Sequence, residues 1–187
     1  KRGAALVTGP VSKSVIAHCG APGAERFLGH TEWLQARDGA KSAIMCFASP
    51  RLTTSLASTH LPLQRVPKWL TPEHVAEATY QLAVFLLQLG QEHPKVAICS
   101  LNPHAGEGEL LGDEERRAIL PGIRLARRRL RGRAELIGPT GAESAYRLAY
   151  AGKYAGVVAM YHDQATIPTK LVAFGDAVNV TLGLSRV

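Results

Sequence analysis

Long apolar runs are missing from this chain of 187 residues. None approaches the roughly 20 residues that a bilayer-spanning helix needs. The longest candidate, Tyr80 to Leu89, is interrupted by Gln81 and Gln88. No membrane partner is therefore expected. Cysteine is scarce too. Cys19, Cys46 and Cys99 are odd in number and far apart, which excludes a disulfide framework and points to a cytoplasmic protein. Cys46 and Cys99 lie inside apolar runs and read as small core residues. The first ten residues lack a signal-peptide pattern and read as a strand followed by a turn. Internal repeats, low-complexity linkers and heptads are also absent. So is a dinucleotide fingerprint: Gly106, Gly108 and Gly112 miss the spacing by one residue, and Glu107 and Glu109 would oppose a pyrophosphate. No two histidines have the spacing of a zinc finger or of the HExxH helix.

What is present is enough apolar material for a core. Hydrophobic residues make up 46% of the chain, which argues against disorder. The net charge of +7 is concentrated between Arg116 and Arg133. Without interleaved aromatics or a nucleic-acid motif, this stretch reads as a solvated helix face, and no nucleic acid is expected as partner. The positive field suits an anionic small substrate.

Apolar β-prone runs alternate with helical patterns. Residues 4–8, 43–48, 53–58, 95–100, 156–161 and 177–182 read as strands. Ser49-Pro50-Arg51 turns between the second and third of these. Residues 12–19 have a short helical pattern. Thr71-Pro72-Glu73 is a strong helix start, with a capping hydroxyl, proline at the first position and an acid in the first turn. Val75, Thr79, Leu82, Phe85, Leu86 and Leu89 form the apolar stripe, and Gly90 is a stop. Asp113-Glu114-Glu115 opens another helix, which Pro121-Gly122 is expected to kink or break. The alternation predicts an α/β fold with a mostly parallel sheet and crossover helices.

His60, His104 and His162 each sit in a short polar motif just after a strand-like run. Loops at the carboxyl ends of parallel strands converge on one crevice, where three neutral imidazoles could hold a divalent metal. Structural histidines are an equally weighted alternative. Asp163 follows His162 directly, suited to orienting an imidazole, to carrying a proton, or to capping the strand end. His30 lies in a Gly-His-Thr-Glu turn suited to a phosphate. Lys170 and Asn179 could each bind an anionic group or be ordinary surface residues. His18, His74 and His93 read as surface or packing residues.

Six motifs then occur in order: Thr8-Gly9-Pro10-Val11-Ser12-Lys13, Phe27-Leu28-Gly29-His30-Thr31-Glu32, Thr59-His60-Leu61-Pro62-Leu63, the segment from Leu101 to Gly108, Ala159-Met160-Tyr161-His162-Asp163-Gln164, and the segment from Val178 to Leu184. Together they closely resemble the 4-hydroxythreonine-4-phosphate dehydrogenase family of vitamin B6 (pyridoxal phosphate) synthesis, over nearly the whole chain. The resemblance implies a two-lobed α/β/α fold like that of isocitrate and isopropylmalate dehydrogenases. Residues 1–187 would be one partial two-lobed catalytic unit, truncated at both ends. It implies a homodimer with a shared active site. His60, His104 and His162 would bind a divalent metal (zinc, magnesium, manganese or cobalt), the last from the partner subunit. His30, Thr31, Lys170 and Asn179 would bind a phosphorylated substrate.

The implied reaction is oxidation of 4-phosphohydroxy-L-threonine at C3 by NAD or NADP, then decarboxylation, with Asp163 as the candidate for proton transfer or ligand orientation. The sequence also departs from the family pattern. Glu109 replaces a usual glycine, Gly141-Ala142-Glu143 replaces Pro-Ala-Asp, and residues 165–169 are atypical. A family arginine is expected after the Leu-Gly-Leu motif, but Arg186 carries no role. These departures keep open a sibling dehydrogenase acting on threonate or erythronate 4-phosphate, and a non-catalytic metal- or phosphate-binding fragment.

Overall fold

Alternating burial along two strands explains the layering. On Lys95–Cys99 (β3), Val96 and Ile98 face one side, while Ala97 and Cys99 face the other. On Gly156–Ala159 (β5), Val158 belongs to the first side and Val157 to the second. Successive side chains on a strand point to opposite faces, and both faces here are covered. The computed structural model describes residues 11–27 and 29–185, without the side chains of Arg26, His30 and Glu32. The strand expected over residues 4–8 lies outside this range.

Among the described residues the sheet has six strands, in the order β4-β3-β5-β2-β1-β6. The others are Ile44–Ala48 (β1), Thr53–Leu56 (β2), Glu135–Thr140 (β4) and Val178–Leu182 (β6). Pairs β2·β5, β3·β5 and β3·β4 are parallel, and β1 is antiparallel to both its neighbours. The sheet is thus mostly parallel, as expected, and β1 and β2 form the expected hairpin. β4 was hidden in the sequence because Gly138-Pro139 inside it looks like a turn. A Cβ on Gly138 would meet the Ile98 carbonyl at 2.4 Å, so only glycine allows β4 this close to β3.

Two helices cover one face. Pro72–Gln88 (α4) starts where Thr71 accepts a hydrogen bond from the His74 amide at 3.4 Å. It buries Val75, Ala78, Leu82 and Leu86 against the sheet. Each large side chain so buried contributes about 1.5–3 kcal/mol. Leu120–Leu130 (α5) packs beside it through Gly122, where a Cβ would lie 2.6 Å from the Val75 Cβ. Pro121 does not break this helix. It falls in the first turn of α5, where a missing N–H goes unmissed, after a single π-helical turn at Glu115–Ile119. The arginines that follow are solvated as expected. Arg129 pairs with Glu77 at 2.5 Å and lies over the Tyr80 ring.

Ala142–Tyr150 (α6) and His162–Ala173 (α7) cover the opposite face. Cys46 and Cys99 are buried core thiols, as expected. Burial pushes Cys46 up to about 12 and raises Cys99 further. The short helices Lys13–Ala17 (α1), His30–Asp38 (α2) and Val66–Trp69 (α3) are accompanied by 3-10 turns at Ala24–Arg26, Leu63–Arg65 and Pro103–Gly106. The chain divides into two compact units. Ile44–Gly183 contains the sheet, and the other unit contains α1, α2 and Ser185, whose amide donates to Asp38 at 2.7 Å. No helix among the described residues is long and apolar enough to cross a membrane.

Candidate active site

Because β2, β5 and β3 are adjacent and parallel, their carboxyl ends share one edge. Beyond this edge lie His60 in the loop after β2, His162 at the first position of α7 after β5, and His104 in the turn after β3. The His60 and His162 rings are neighbours, with centroids 5.5 Å apart and planes tilted by 41°. They line a pocket of about 250 Å³ together with Thr59, Leu61, Leu63, Val66, Tyr161 and Asp163.

This spacing fits a shared ion. Two imidazoles on one tetrahedral zinc, with Zn–N near 2.1 Å, hold their centroids roughly 5 Å apart. His162 is also oriented. Its Nδ1 lies 2.7 Å from Asp163 Oδ1. A carboxylate only accepts, so Nδ1–H donates to it and Nε2 is the ring nitrogen turned away from Asp163.

His104 stands apart. It is exposed, in a tight turn over Pro103–Gly106, and has a left-handed backbone with φ 51°. Among the described residues, no group of three or more His, Cys, Asp or Glu is gathered to hold a metal. One copy thus presents a fitting pair, not a triad. The other candidates are placed as follows. Lys170 is exposed in the last turn of α7, and Asn179 is exposed on β6 opposite Phe47. Thr31 lies on α2 in the other unit. The His30 side chain is outside the described residues. His74 stacks on Trp69, and His18 bonds the Ser14 carbonyl, so both are packing or surface residues.

Polar cross-links that the sequence did not reveal hold the edge together. Ser58 Oγ donates to the Met160 carbonyl at 2.7 Å, tying the β2 loop to the end of β5. Gln164 accepts from the Met160 amide at 2.7 Å and donates to the Ser100 carbonyl at 2.9 Å, tying α7 to the end of β3. Ser100 Oγ in turn donates to the Asn102 carbonyl at 2.9 Å. The three histidine-bearing loops are therefore fixed to one another near their roots. The only available sequence signal was that Gln164 falls within the His162 motif.

Near the edge, Glu143 is held below the usual carboxylate range, chiefly by its hydrogen bond from Ser144 Oγ. Glu114 is also lowered. Partial burial opposes this, but the Asn102 amide and Arg117 outweigh it.

Fold and edge together define an α/β protein whose parallel strand ends gather at one edge, the place where folds of this class take small ligands. More narrowly, the chain belongs to the family described as pyridoxal phosphate biosynthetic protein PdxA, which it matches over residues 1–187. It is 42% identical over 181 residues to a 4-hydroxythreonine-4-phosphate dehydrogenase from Desulfosudis oleivorans, covering 96% of this chain and 52% of the relative. Among solved structures, it is similar to the enzyme of that name from Klebsiella pneumoniae, with TM-score 0.84 and 33% identity, covering 95% of this chain and 52% of the other. It is also similar to a terephthalate 1,2-cis-dihydrodiol dehydrogenase from Burkholderia xenovorans, with TM-score 0.71 and 31% identity, covering 83% and 49%. The chain spans about half the length of these relatives.

Proposed function

We propose that this chain carries the metal and substrate site of a cytoplasmic dehydrogenase that uses NAD or NADP. It would oxidise 4-phosphohydroxy-L-threonine at C3, with decarboxylation to follow, in vitamin B6 synthesis. The observation that supports this most is the His60–His162 pair with Asp163 behind it, in a chain whose relatives are named for that substrate. A divalent ion, when bound, would supply Lewis-acid stabilisation of the negative charge that develops in both steps. Nicotinamide would supply the hydride acceptor.

The chain's own residues hold and orient. His60 and His162 offer imidazole nitrogens from one copy, and the exposed His104 offers a third from a second copy. This is why the reading includes a homodimer. It differs from the expectation that the partner supplies the last histidine, because His60 and His162 are neighbours within one chain. Asp163 fixes the tautomer of His162 and is better suited to that than to proton transfer. Lys170, Asn179, His30 and Thr31 are assigned to the anionic ends of the substrate, on the family pattern alone. Imidazole donors suit zinc better than magnesium, with manganese and cobalt between them in the comparison to be made.

A sibling specificity is the second reading. The similarity to a dehydrogenase named for a different substrate, a cis-dihydrodiol, favours it, as do the unusual Gly141-Ala142-Glu143 and residues 165–169. The test is nicotinamide reduction, followed by absorbance with and without each metal. It would use 4-phosphohydroxy-L-threonine beside threonate and erythronate 4-phosphates. Metal-dependent turnover on the first is expected. Turnover on another phosphate alone establishes the sibling, and turnover on none removes the dehydrogenase reading for this chain. His162→Ala is expected to weaken zinc binding by more than about 100-fold, since even residues behind a ligand are worth 10–100-fold.

A further inference from the structure

Glu115 is a carboxylate at the wrong depth for its apparent job. Acids in the first turn of a helix act well from the surface, yet Glu115 is only 5% exposed. Among the described residues no lysine or arginine pairs with it. Instead its oxygens face the loop that carries His104. Oε1 accepts from the Leu101 amide at 2.8 Å and the Asn102 amide at 2.9 Å. Oε2 accepts from Asn102 Nδ2 at 2.9 Å, and the same nitrogen donates to Glu114 Oε2 at 2.7 Å.

The loop wraps this carboxylate closely. A Cβ on Gly106 would lie 3.0 Å from Glu115 Oε2 and 3.0 Å from the Gly112 carbonyl. A Cβ on Gly112 would meet Asn102 Nδ2 at 2.5 Å. The loop is also strained. His104, Ala105, Glu107 and Glu109 all have left-handed backbones, with φ of 51°, 53°, 46° and 76°. Such residues persist only where their surroundings over-determine them. The carboxylate of Glu115 is the buried anchor at the root of that loop. It projects from a π-helical turn, a local irregularity that often marks functional positions.

We infer that Glu115 is a positioning residue: it holds the 101–112 loop in the strained shape that presents His104 to a metal. This rests on the metal site proposed above. The test compares the chain with Glu115→Ala and the milder, isosteric Glu115→Gln, in which an amide donor faces Asn102 Nδ2. Two quantities are read. One is amide hydrogen exchange without metal. The other is cobalt(II) affinity, followed by the visible spectrum of the bound ion.

The amides of Leu101, Asn102 and the loop are expected to exchange at least about tenfold faster in both variants, with α4 and β5 unchanged. Cobalt affinity is expected to fall by about 10–100-fold, more for alanine than for glutamine. Loop exchange that stays within about twofold of the parent overturns the inference. So does equal loosening of loop, α4 and β5, which would make Glu115 a general core support. A looser loop with unchanged cobalt affinity overturns its link to the metal. If the parent chain binds no cobalt, the metal reading fails and the delivery of His104 fails with it. The exchange data then still decide whether Glu115 shapes the loop.

Discussion

The two edges of the sheet differ in a way that volume alone would misrank. At the amino edge, where β2, β3 and β5 begin, lies a cleft of about 900 Å³ lined by Arg51, His93, Lys95, Tyr150, Lys153 and Tyr154, among others. At the carboxyl edge the histidine pocket is about 250 Å³. The large cleft lies where α4 and α6 end, so it receives the negative ends of two helix dipoles. Its cations have local work to do. Lys95 pairs with Glu135 at 3.0 Å, and Arg51 donates to the Tyr150 hydroxyl at 3.2 Å. The small pocket instead gathers adjacent imidazoles, one of them oriented by Asp163, on segments bonded to one another. Preorganised convergent groups mark a site better than empty space does.

Behind the histidines themselves, the largest expected effect comes from cutting the framework of the small pocket. Gln164→Ala would leave the Met160 amide and the Ser100 carbonyl without their side-chain partner. Buried polar groups left unpaired cost roughly 1–3 kcal/mol each, and water can reach the partly exposed Gln164, so a loss near 2 kcal/mol is expected in urea unfolding. Zinc affinity should fall too, because Gln164 holds the first turn of α7, which carries His162, to the ends of β5 and β3. Unchanged stability and unchanged zinc binding would erase the contrast between the edges.

A smaller effect is expected from Asp163→Ala. Asp163 bonds His162 Nδ1 but is largely exposed, with 70% of its side chain accessible. Its contribution belongs at the low end of the 10–100-fold that such partners supply, so about a tenfold loss of zinc affinity is expected by calorimetry, with stability unchanged. A loss above about 100-fold would point instead to Asp163 as a direct ligand.

Much of the carboxyl edge was legible in the sequence, because three histidines followed three apolar runs and parallel strands bring such ends together. The β1–β2 hairpin and α4 were legible for the same reason: alternation, apolar stripe and cap all agreed. What stayed hidden depended on depth and direction. Glu115 lies in an Asp-Glu-Glu run that reads as surface acids, and only the folded-back loop buries it. The left-handed backbone at His104 was hidden too, because His104 is not a glycine. Gln164 stood in the His162 motif without a role, since its two partners, Met160 and Ser100, lie just past the ends of β5 and β3. Pro121 looked like a breaker because the π-helical turn that places it in the first turn of α5 has no clear signature.

The smallest effect should come from the larger cavity. Arg51→Ala removes one exposed hydrogen bond to Tyr150, and Lys153→Ala removes an exposed cation at the cleft wall. Exposed substitutions of this kind change stability by no more than about 0.5 kcal/mol. Zinc affinity and nicotinamide reduction should be unchanged, because neither residue touches the loops of the opposite edge. The double substitution sharpens the test, since the cations lie against helix carboxyl ends. If they only offset those dipoles, stability should fall slightly more at low salt than at high salt. A loss of turnover in the double variant with zinc affinity intact would show that the amino edge takes part in function, and the large cleft would then have to be treated as a second ligand site.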